Sequence, residues 1–426
     1  MKLSTRHLKR YRDIGRLLWK YGRSGLAARM SAEEILPPEG GAAPSTTGPS
    51  PEQLAADLEE LGPTYVKFGQ VLAGRPDLLP DSYLKALARL QDKVAPFPGA
   101  EAMAIVEREL DVRISKAFAR FDEEPIAAAS LGQVHYAELR DGRPVVVKVQ
   151  RPGVQEQVLA DFEALGGLAE ILDQHTAMGR KHRFHEVVEE FRTALLHELN
   201  YELEAANLVT LGRNLAEFPR IVVPQPITDY CTRSVLTMEY IDGTKVTEVS
   251  PLARQELDTR PLVEEVFRAY LKQVLVDGVF HADPHPGNVF VTTDGRIALI
   301  DLGMVGHTSQ AMQESLLKIL LAVSEGNGDD AADLVVRISE KSEEFDPPEF
   351  RRRVTRLIAA KHDQGLADMN VGRALFELSN RARDTGLFVP SELTLLGKTL
   401  LQLDEVGRIL DPTFIRARPS ASRSPT

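Results

Sequence analysis

The chain has 426 residues, of which 43% are hydrophobic and 27% are charged, and its formal net charge at pH 7 is −11. This composition indicates a globular protein with a large core, arranged as two or three domains or lobes. The negative charge argues against a general nucleic-acid-binding protein, so no nucleic-acid partner is expected. The single cysteine, Cys231, excludes an internal disulfide and a cysteine-cluster zinc site, and it favours a cytoplasmic compartment.

The N-terminal segment differs from the rest of the chain in its charge. Residues 1–30 carry nine Lys and Arg side chains and one acid, with apolar residues at three- and four-residue spacing between them. A basic amphipathic helix of this kind can lie on an anionic membrane surface. The alternative is a solvated helix that packs on an acidic face of the same protein. No apolar run reaches 18 residues, so no membrane-spanning helix is predicted.

Residues 1–36 are therefore predicted to form a basic amphipathic segment, and residues 37–51, rich in Pro, Gly, Ser and Thr, a flexible linker. Several short helices are predicted over residues 52–120. They include the stretch Lys67-Phe-Gly-Gln70, whose lysine and glutamine share one helix face. From the residue types alone this stretch is weak evidence, because a lysine on a helix is ordinarily solvated.

Three strands are predicted over residues 125–150, and the first turn among them, which precedes the strand that contains Lys148, is rich in alanine. The kinase pattern Gly-x-Gly-x-x-Gly-x-Val becomes Ala127-x-Ala129-x-x-Gly132-x-Val134. Glycine allows the backbone to approach phosphates closely, and an added Cβ hinders that approach. We therefore expect this turn to hold the terminal phosphates of a nucleotide in a different way. Its candidate nucleotide-binding residues are Ala127, Ala128, Ala129 and Ser130.

Lys148 lies in an apolar strand that fits the kinase Val-Ala-Ile-Lys pattern, in which the lysine contacts the α- and β-phosphates. Residues 153–175 and 183–216 are predicted to be helices, and the second is rich in acidic side chains. A buried Lys148 needs a carboxylate from such a helix, and Glu204 or Glu198 could supply it. The alternative is that these acids form a solvated helix face.

Strands are next predicted at residues 220–223 and 235–238. The segment Met238-Glu239-Tyr240-Ile241 follows and resembles the hinge between kinase lobes. The adenine edge would bond to backbone groups of Glu239 and Ile241, behind the side chain of Met238. The further helices are predicted at residues 261–278, 308–324, 347–364, 370–384 and 391–409.

A predicted β-hairpin lies within the stretch from His281 to Gly303. Residues 289–291 and 297–300 are apolar and predict its strands, and residues 293–295, Thr-Asp-Gly, predict its turn. Asp-Gly between two apolar runs is the strongest short signal for a hairpin.

Three polar residues flank this hairpin, with Asp283 and Asn288 before it and Asp301 after it. Because a hairpin brings its ends together, we expect the three side chains to converge. Two carboxylates and an amide oxygen suit Mg²⁺, with phosphate oxygens completing its coordination. This is the arrangement of a kinase catalytic loop followed by a metal-binding Asp-x-Gly. The alternative is that the acids are ordinary turn residues.

Taken together, these motifs resemble the UbiB (AarF-type) family of atypical kinase-like ATPases, over roughly residues 52–413. The resemblance implies an α+β, bilobal protein-kinase-like fold, predominantly helical, with an extra N-terminal helical layer over the active site. It places that layer at residues 52–120, the N-lobe with a helical insertion at 121–241 and the C-lobe at 242–413. A disordered tail is expected at 414–426.

The resemblance also implies roles for individual residues. Lys67 would pair with Glu198, and Lys148 with Glu204. Asp283 would take the catalytic-base position, with Asn288 and Asp301 holding Mg²⁺. ATP or ADP would be the nucleotide, and the activity would be slow ATP hydrolysis, with the N-terminal layer suppressing protein phosphorylation.

The implied setting is ubiquinone or other isoprenoid-lipid metabolism, with quinone-pathway proteins or lipids as partners. The chain departs from the family at Glu198-Leu-Asn200, where Glu-x-Asp is usual. It also shows no hydrophobic C-terminal hairpin. Membrane contact would then be peripheral, on the inner face of the membrane, through residues 1–30.

Three other classes of protein fit part of the sequence. Small-molecule phosphotransferases of the aminoglycoside and choline kinase type share the His-x-Asp-x-x-x-x-Asn loop, but they lack the layer that contains Lys67. A nucleotide-binding scaffold without turnover is a second alternative. The retained Asp283, Asn288 and Asp301 weigh against it, although retention of these residues does not by itself prove turnover. An ordinary protein kinase is disfavoured by the alanine-rich turn.

Overall fold

The computed structural model describes residues 12, 16, 20, 50–73, 79–90, 95–176, 179, 183–343, 345–362 and 371–412. Nearly all of the predicted linker, most of the basic segment and the whole predicted tail at 414–426 lie outside the described residues. The described chain divides into two compact units. The first unit is Met1–Tyr201 with Tyr230–Thr237, and the second is Glu202–Asp229 with Met238–Thr426.

Five helices begin the first unit: α1 Pro51–Leu61, α2 Pro63–Ala73, α3 Asp81–Leu87, α4 Gly99–Leu110 and α5 Ile114–Ala117. Helix α1 begins at Pro51 because Ser50 caps it. The Ser50 hydroxyl accepts a bond from the Gln53 N–H, and the Gln53 side chain accepts one from the Ser50 N–H. The short helices predicted for residues 52–120 are thus confirmed.

A close helix contact explains the glycine in Lys67-Phe-Gly-Gln70. A Cβ on Gly69 would lie too close to the side-chain ends of Leu90 and Leu58, so a larger residue there would force these buried leucines to move. Leu58, Tyr65 and neighbouring apolar side chains form a buried cluster there. This packing fixes the face of α2 on which Lys67 lies.

The β-sheet of the first unit follows the helices. Its strands are β1 Phe118–Phe121, β2 Ala127–Ala128, β3 Gly132–Leu139, β4 Pro144–Gln150 and β6 Val235–Glu239. Residues 238 and 239 of β6 are counted with the second unit. The order is β1-β3-β4-β6, with β2 paired to β3. Antiparallel pairing sets Val134 opposite Ala127 on one side and opposite Lys148 on the other. The three strands predicted for residues 125–150 are confirmed.

One predicted helix is in fact two. The helix predicted for residues 183–216 is α7 Phe184–Glu198 and α8 Tyr201–Asn214, and α6 Val154–His175 precedes them. Bonds from elsewhere in the first unit cause the break. Gln150 Nε2 donates to Leu199 O at 2.6 Å, and the Tyr201 N–H donates to Arg233 O at 3.1 Å instead of to a helical carbonyl. The continuous-helix prediction is therefore wrong between residues 198 and 201.

The second unit contains the predicted hairpin. Strands β5 Ile221–Val222, β10 Ile297–Leu299, β9 Val289–Thr292 and β7 Gly243–Lys245 form its sheet in that order, and β8 Val279–His281 pairs with β11 Val305–His307. Val291 lies opposite Ile297, and Gly295 takes a positive φ of 80° in the turn. The sequence prediction of a hairpin here is confirmed.

Helices form the rest of the second unit: α9 Pro251–Glu256, α10 Thr259–Lys272, α11 Gln310–Ser324, α12 Gly328–Ile338, α13 Pro347–His362, α14 Val371–Asp384 and α15 Ser391–Leu410. A π-helical turn, Gln273–Asp277, continues α10, and the short strands β12 Glu340–Lys341 and β13 Leu387–Phe388 pair. Short 3-10 turns lie at Thr228–Tyr230, Val246–Glu248 and Pro286–Asn288. Among the described residues, none of the helices has the length and apolar character needed to cross a membrane.

Candidate active site

In the first unit, α2 and α7 bring Lys67 and Glu198 together. Lys67 Nζ lies 2.7 Å from Glu198 Oε1, and the two side chains are 18% and 33% exposed. A second contact holds α2 in place, because the buried Thr64 hydroxyl donates to Asp161 Oδ2 of α6 at 2.7 Å. The two residues that the resemblance pairs are thus in contact, and their role stays a prediction.

The alanine-rich turn lies at the edge of the sheet of the first unit. Ala127 and Ala128 form β2, the Ala129 N–H donates to Gly132 O at 2.8 Å, and Ser130 is fully buried. Gly132 is needed for packing, since a Cβ there would lie 2.6 Å from Val149 O. The third glycine of the kinase pattern is therefore required here by strand contacts.

Lys148 is half-buried on β4, and its Nζ lies 5.0 Å from the centre of the Tyr201 ring. Such a cation–π contact orients the ammonium group over the ring face. The expected partner, Glu204, is buried in the second unit. The predicted pairing of Lys148 with Glu204 stays a prediction.

The hinge-like segment is described within the second unit. Met238 is buried, Glu239 is exposed and Ile241 is half-buried. The Glu239 N–H donates to Gln225 O at 3.0 Å, and the Gln225 N–H donates back to Glu239 Oε2 at 3.0 Å. Because its N–H is used in this way, only the Glu239 carbonyl is left for the expected bond to adenine.

Hydrogen bonds within the loop fix the conformation of the segment that carries Asp283 and Asn288. A 3-10 turn, Pro286–Asn288, ends it, and His285 Nδ1 accepts a bond from the Gly287 N–H at 3.0 Å. Asn288 Nδ2 donates to Asp283 O at 3.4 Å. The Asn288 amide nitrogen therefore faces the loop, which leaves its amide oxygen available to a cation.

Asp301 follows the returning strand of the hairpin in a left-handed conformation, with φ of 58°. The Ile300 N–H donates to Asn288 O at 3.0 Å, and the Ala282 N–H donates to Met304 O at 3.1 Å. These two bonds bring together the three segments that carry Asp283, Asn288 and Asp301.

Helix α8 also contacts this turn within the second unit. Asn207 Nδ2 donates to Leu302 O at 2.8 Å. A Cβ built on Gly303 would lie 3.4 Å from Asp301 Oδ1 and 3.9 Å from Glu204 Oε2. Glu204 therefore brings a second carboxylate beside Asp301-Leu302-Gly303, a placement that the sequence did not predict.

Two residues of α15 that the sequence analysis missed contact Asp283. Gln402 Nε2 donates to Asp283 Oδ1 at 2.6 Å, and Lys398 Nζ lies 3.0 Å from the same oxygen. Burial raises the pKa of Asp283, but the charge of Lys398, the bond from Gln402 and the charge of His285 outweigh burial and lower it below its ordinary value. The only sequence signal was the one-turn spacing of Lys398 and Gln402, which does not reveal what they contact.

The donor set suits Mg²⁺ held jointly with phosphate. Among the residues that the structure describes, no three His, Cys, Asp or Glu side chains form a metal-binding group. A site made of Asp301, Asn288 and phosphate oxygens needs no such group, because Mg²⁺ commonly takes one or two carboxylates plus substrate phosphates. The residues present therefore fit a nucleotide-dependent magnesium site.

Two family models match this chain. One, described as ABC1 atypical kinase-like domain, matches residues 89–335, and the other, described as UbiB helical domain, matches residues 354–415. The first covers Lys148, Asp283 and Asp301, and the second covers α15.

Similar proteins are found in several bacteria. "Probable protein kinase UbiB" of Azotobacter vinelandii is 36% identical over 368 residues, 85% of this chain and 68% of the relative. The protein of the same description from Marinobacter nauticus is 37% identical over 365 residues, 85% of this chain and 67% of the relative. An uncharacterized protein of Synechocystis, slr0889, is 35% identical over 369 residues, 84% of this chain and 90% of the relative.

A solved structure supports the fold. The complex of Rv3197 with erythromycin from Mycobacterium tuberculosis matches 84% of this chain and 91% of that chain, with a TM-score of 0.54 and 23% identity. At this identity the likeness shows the fold alone. With the matched kinase-like domain, it confirms the predicted α+β, kinase-like fold.

Proposed function

Because the chain belongs to the UbiB family of atypical kinase-like proteins, we propose that it binds ATP with Mg²⁺ and slowly hydrolyses the nucleotide. The observation that carries this proposal is the pair of backbone bonds that brings Asp283, Asn288 and Asp301 together in the second unit. One carboxylate for proton transfer and a carboxylate–amide pair for a cation are among the parts that kinase-type phosphoryl transfer uses.

Asp283 is the proposed base. It orients a water molecule or an acceptor hydroxyl and accepts its proton, a role that supplies about 10²- to 10⁴-fold in rate. In free energy this is about 3 to 5 kcal/mol. Asn288 and Asp301 would hold Mg²⁺, which when bound neutralises charge on the phosphates. The contacts of Asp283 with Lys398 and Gln402 support this role, because they hold the carboxylate in one orientation.

The remaining site residues are proposed to bind nucleotide or to restrict its use. Lys148 would contact the α- and β-phosphates, and Glu204 would serve as its partner. Residues 127–130 would cover the phosphates. The backbone of Glu239 and Ile241 would bond adenine behind Met238. The Lys67–Glu198 pair is proposed to restrain phosphoryl transfer to proteins.

The proposed setting is ubiquinone or other isoprenoid-lipid metabolism at an anionic membrane surface, with quinone-pathway proteins or lipids as partners. Its support is the family and the basic residues of the N-terminal segment. Arg12, Arg16 and Lys20 are helical, exposed and four residues apart, so they lie on one helix face. Lys20 Nζ also lies 2.6 Å from Asp57 Oδ2, which favours the alternative that this segment packs on its own protein.

The test is ATP hydrolysis by the full chain, with Mg²⁺ or with a chelator, and with or without anionic vesicles and a quinone-like phenol. We expect slow Mg²⁺-dependent hydrolysis that Asp283→Asn lowers about 10²-fold or more and that vesicles increase. Hydrolysis by Asp283→Asn at the wild-type rate would contradict the proposed base. Transfer to an aminoglycoside or to choline would favour a small-molecule phosphotransferase instead.

A further inference from the structure

The last described helix, α15, contacts the Asp283 loop through three polar side chains near one face. Lys398 and Gln402, one turn apart, both contact Asp283 Oδ1, at 3.0 and 2.6 Å. Between them in sequence, the Thr399 hydroxyl donates to Ala282 O at 3.0 Å. All of these residues belong to the second unit.

Both donors use the same oxygen of the Asp283 carboxylate. A carboxylate only accepts hydrogen bonds, so the amide nitrogen of Gln402 must face it. Two donors on Oδ1 restrict rotation of the carboxylate and thus set the direction of Oδ2. Among the described residues, no group donates to Oδ2, so this oxygen is left to accept a proton from another molecule.

We propose that Lys398 and Gln402 are positioning residues for Asp283, which hold Oδ1 so that Oδ2 is directed at the attacking water or hydroxyl. The inference rests on the proposed function, because it takes Asp283 as the base. It deepens that function by assigning part of the active site to the helical domain that follows the kinase-like domain. A site built this way is held by α15 as well as by the loop itself.

The attachment of α15 does not depend on these two contacts. Its apolar face is buried through side chains that include Leu396, Leu403 and Leu410. Thr399 is fully buried, and its single hydroxyl hydrogen is shared between Ala282 O at 3.0 Å and Leu395 O at 2.9 Å. The side chain of Lys398 is 45% exposed, so its ion pair with Asp283 is expected to add little to the stability of the fold.

The test compares four full-length variants: Lys398→Met, Lys398→Arg, Gln402→Met and Glu405→Gln. Methionine keeps the length of both side chains and removes the donor, whereas arginine keeps the charge and a donor. Glu405 is an exposed residue of the same helix and is the matched control. The measurements are the turnover number for ATP, the KM for ATP and the melting temperature with and without Mg-ATP.

We expect Lys398→Met and Gln402→Met to lower the turnover number about 10-fold or more, because misplacing a reacting group costs rate rather than affinity. Their KM values should stay within about 3-fold of wild type, since the nucleotide contacts are unchanged. Lys398→Arg should recover most of the loss, and Glu405→Gln should match wild type.

Asp283→Asn separates the two levels of the proposal. If it turns over ATP at the wild-type rate, the proposed function fails, and the positioning role fails with it. If its turnover falls about 10²-fold or more while Lys398→Met and Gln402→Met turn over at the wild-type rate, only the positioning role is wrong. A loss that Lys398→Arg shares, together with a lower melting temperature, would also overturn the positioning role.

Discussion

Lys67 Nζ on α2 lies 2.7 Å from Glu198 Oε1 on α7, close to the end of that helix. Glu198 is the last residue of α7, and α8 begins three residues later at Tyr201, so the pair lies at the break between the two helices. A pair that is 18% and 33% exposed contributes modestly to stability. We therefore expect the ion pair to matter because it fixes the position of the Lys67 side chain, and not because it stabilises the packing of α2 on α7.

Breaking this pair should release phosphoryl transfer that the N-terminal layer restrains. We expect Lys67→Met and Glu198→Gln to raise autophosphorylation, measured with γ-labelled ATP, because either change removes the ion pair. Lys85→Met, at an exposed position of α3, is the control and should behave as wild type. If neither Lys67→Met nor Glu198→Gln alters autophosphorylation or the preference for ATP over ADP, the pair has no inhibitory role.

The backbone at Asp301 allows the metal role to be separated from folding. Asn tolerates the left-handed conformation, whereas alanine at a φ of 58° is strained by about 1 to 2 kcal/mol. Asp301→Asn should therefore keep the wild-type melting temperature but lose the Mg²⁺-dependent stabilisation by ATP. Asp301→Ala should melt at a lower temperature and should also lose that stabilisation. Nucleotide-dependent melting curves with Mg²⁺ and with chelator measure this. The same Mg²⁺-dependent shift in Asp301→Asn as in wild type would count against a metal ligand there.

The sequence predicted best those features that are encoded locally. Asp294-Gly295 between apolar runs was enough for the hairpin, because turn type and strand alternation lie within about ten residues. The break after α7 was missed, since it depends on Gln150, 49 positions away from the carbonyl it bonds. Gln402 was missed for the same reason, as 119 positions separate it from Asp283.

The break between α7 and α8 should depend on the Gln150 amide. Gln150 is buried and donates to Leu199 O at 2.6 Å and to Arg233 O at 3.0 Å. Gln150→Leu leaves these carbonyls without that donor, and we expect it to lower the free energy of unfolding by about 1 to 3 kcal/mol. Gln174→Leu, at an exposed site of α6, should change it by less than about 0.5 kcal/mol. Urea unfolding measures both, and equal effects would refute a specific role for the amide.

The stability of the protein should fall in mild acid because of His281. This side chain is fully buried, and neither ring nitrogen makes a hydrogen bond of good geometry among the described residues. Burial lowers the pKa of His281 to about 4, although the charge of Asp283, the nearby Met304 backbone and the charge of Asp301 act in the opposite direction. The folded protein therefore keeps His281 neutral over a pH range in which the unfolded chain, with a histidine pKa near 6.5, takes up a proton.

Because the unfolded state binds more protons, stability is present above pH 6.5 and is lost as the pH falls from there towards 4. Between pH 7.5 and pH 5 the loss from His281 is about 2 kcal/mol. His281→Asn cannot titrate in this range, so its unfolding free energy should fall by about 2 kcal/mol less than that of wild type over the same interval. His175→Asn, at an exposed position of α6, is the control and should keep the wild-type pH dependence. Urea unfolding at the two pH values decides the matter, and an equal loss in His281→Asn and wild type would show that His281 is not the titrating group.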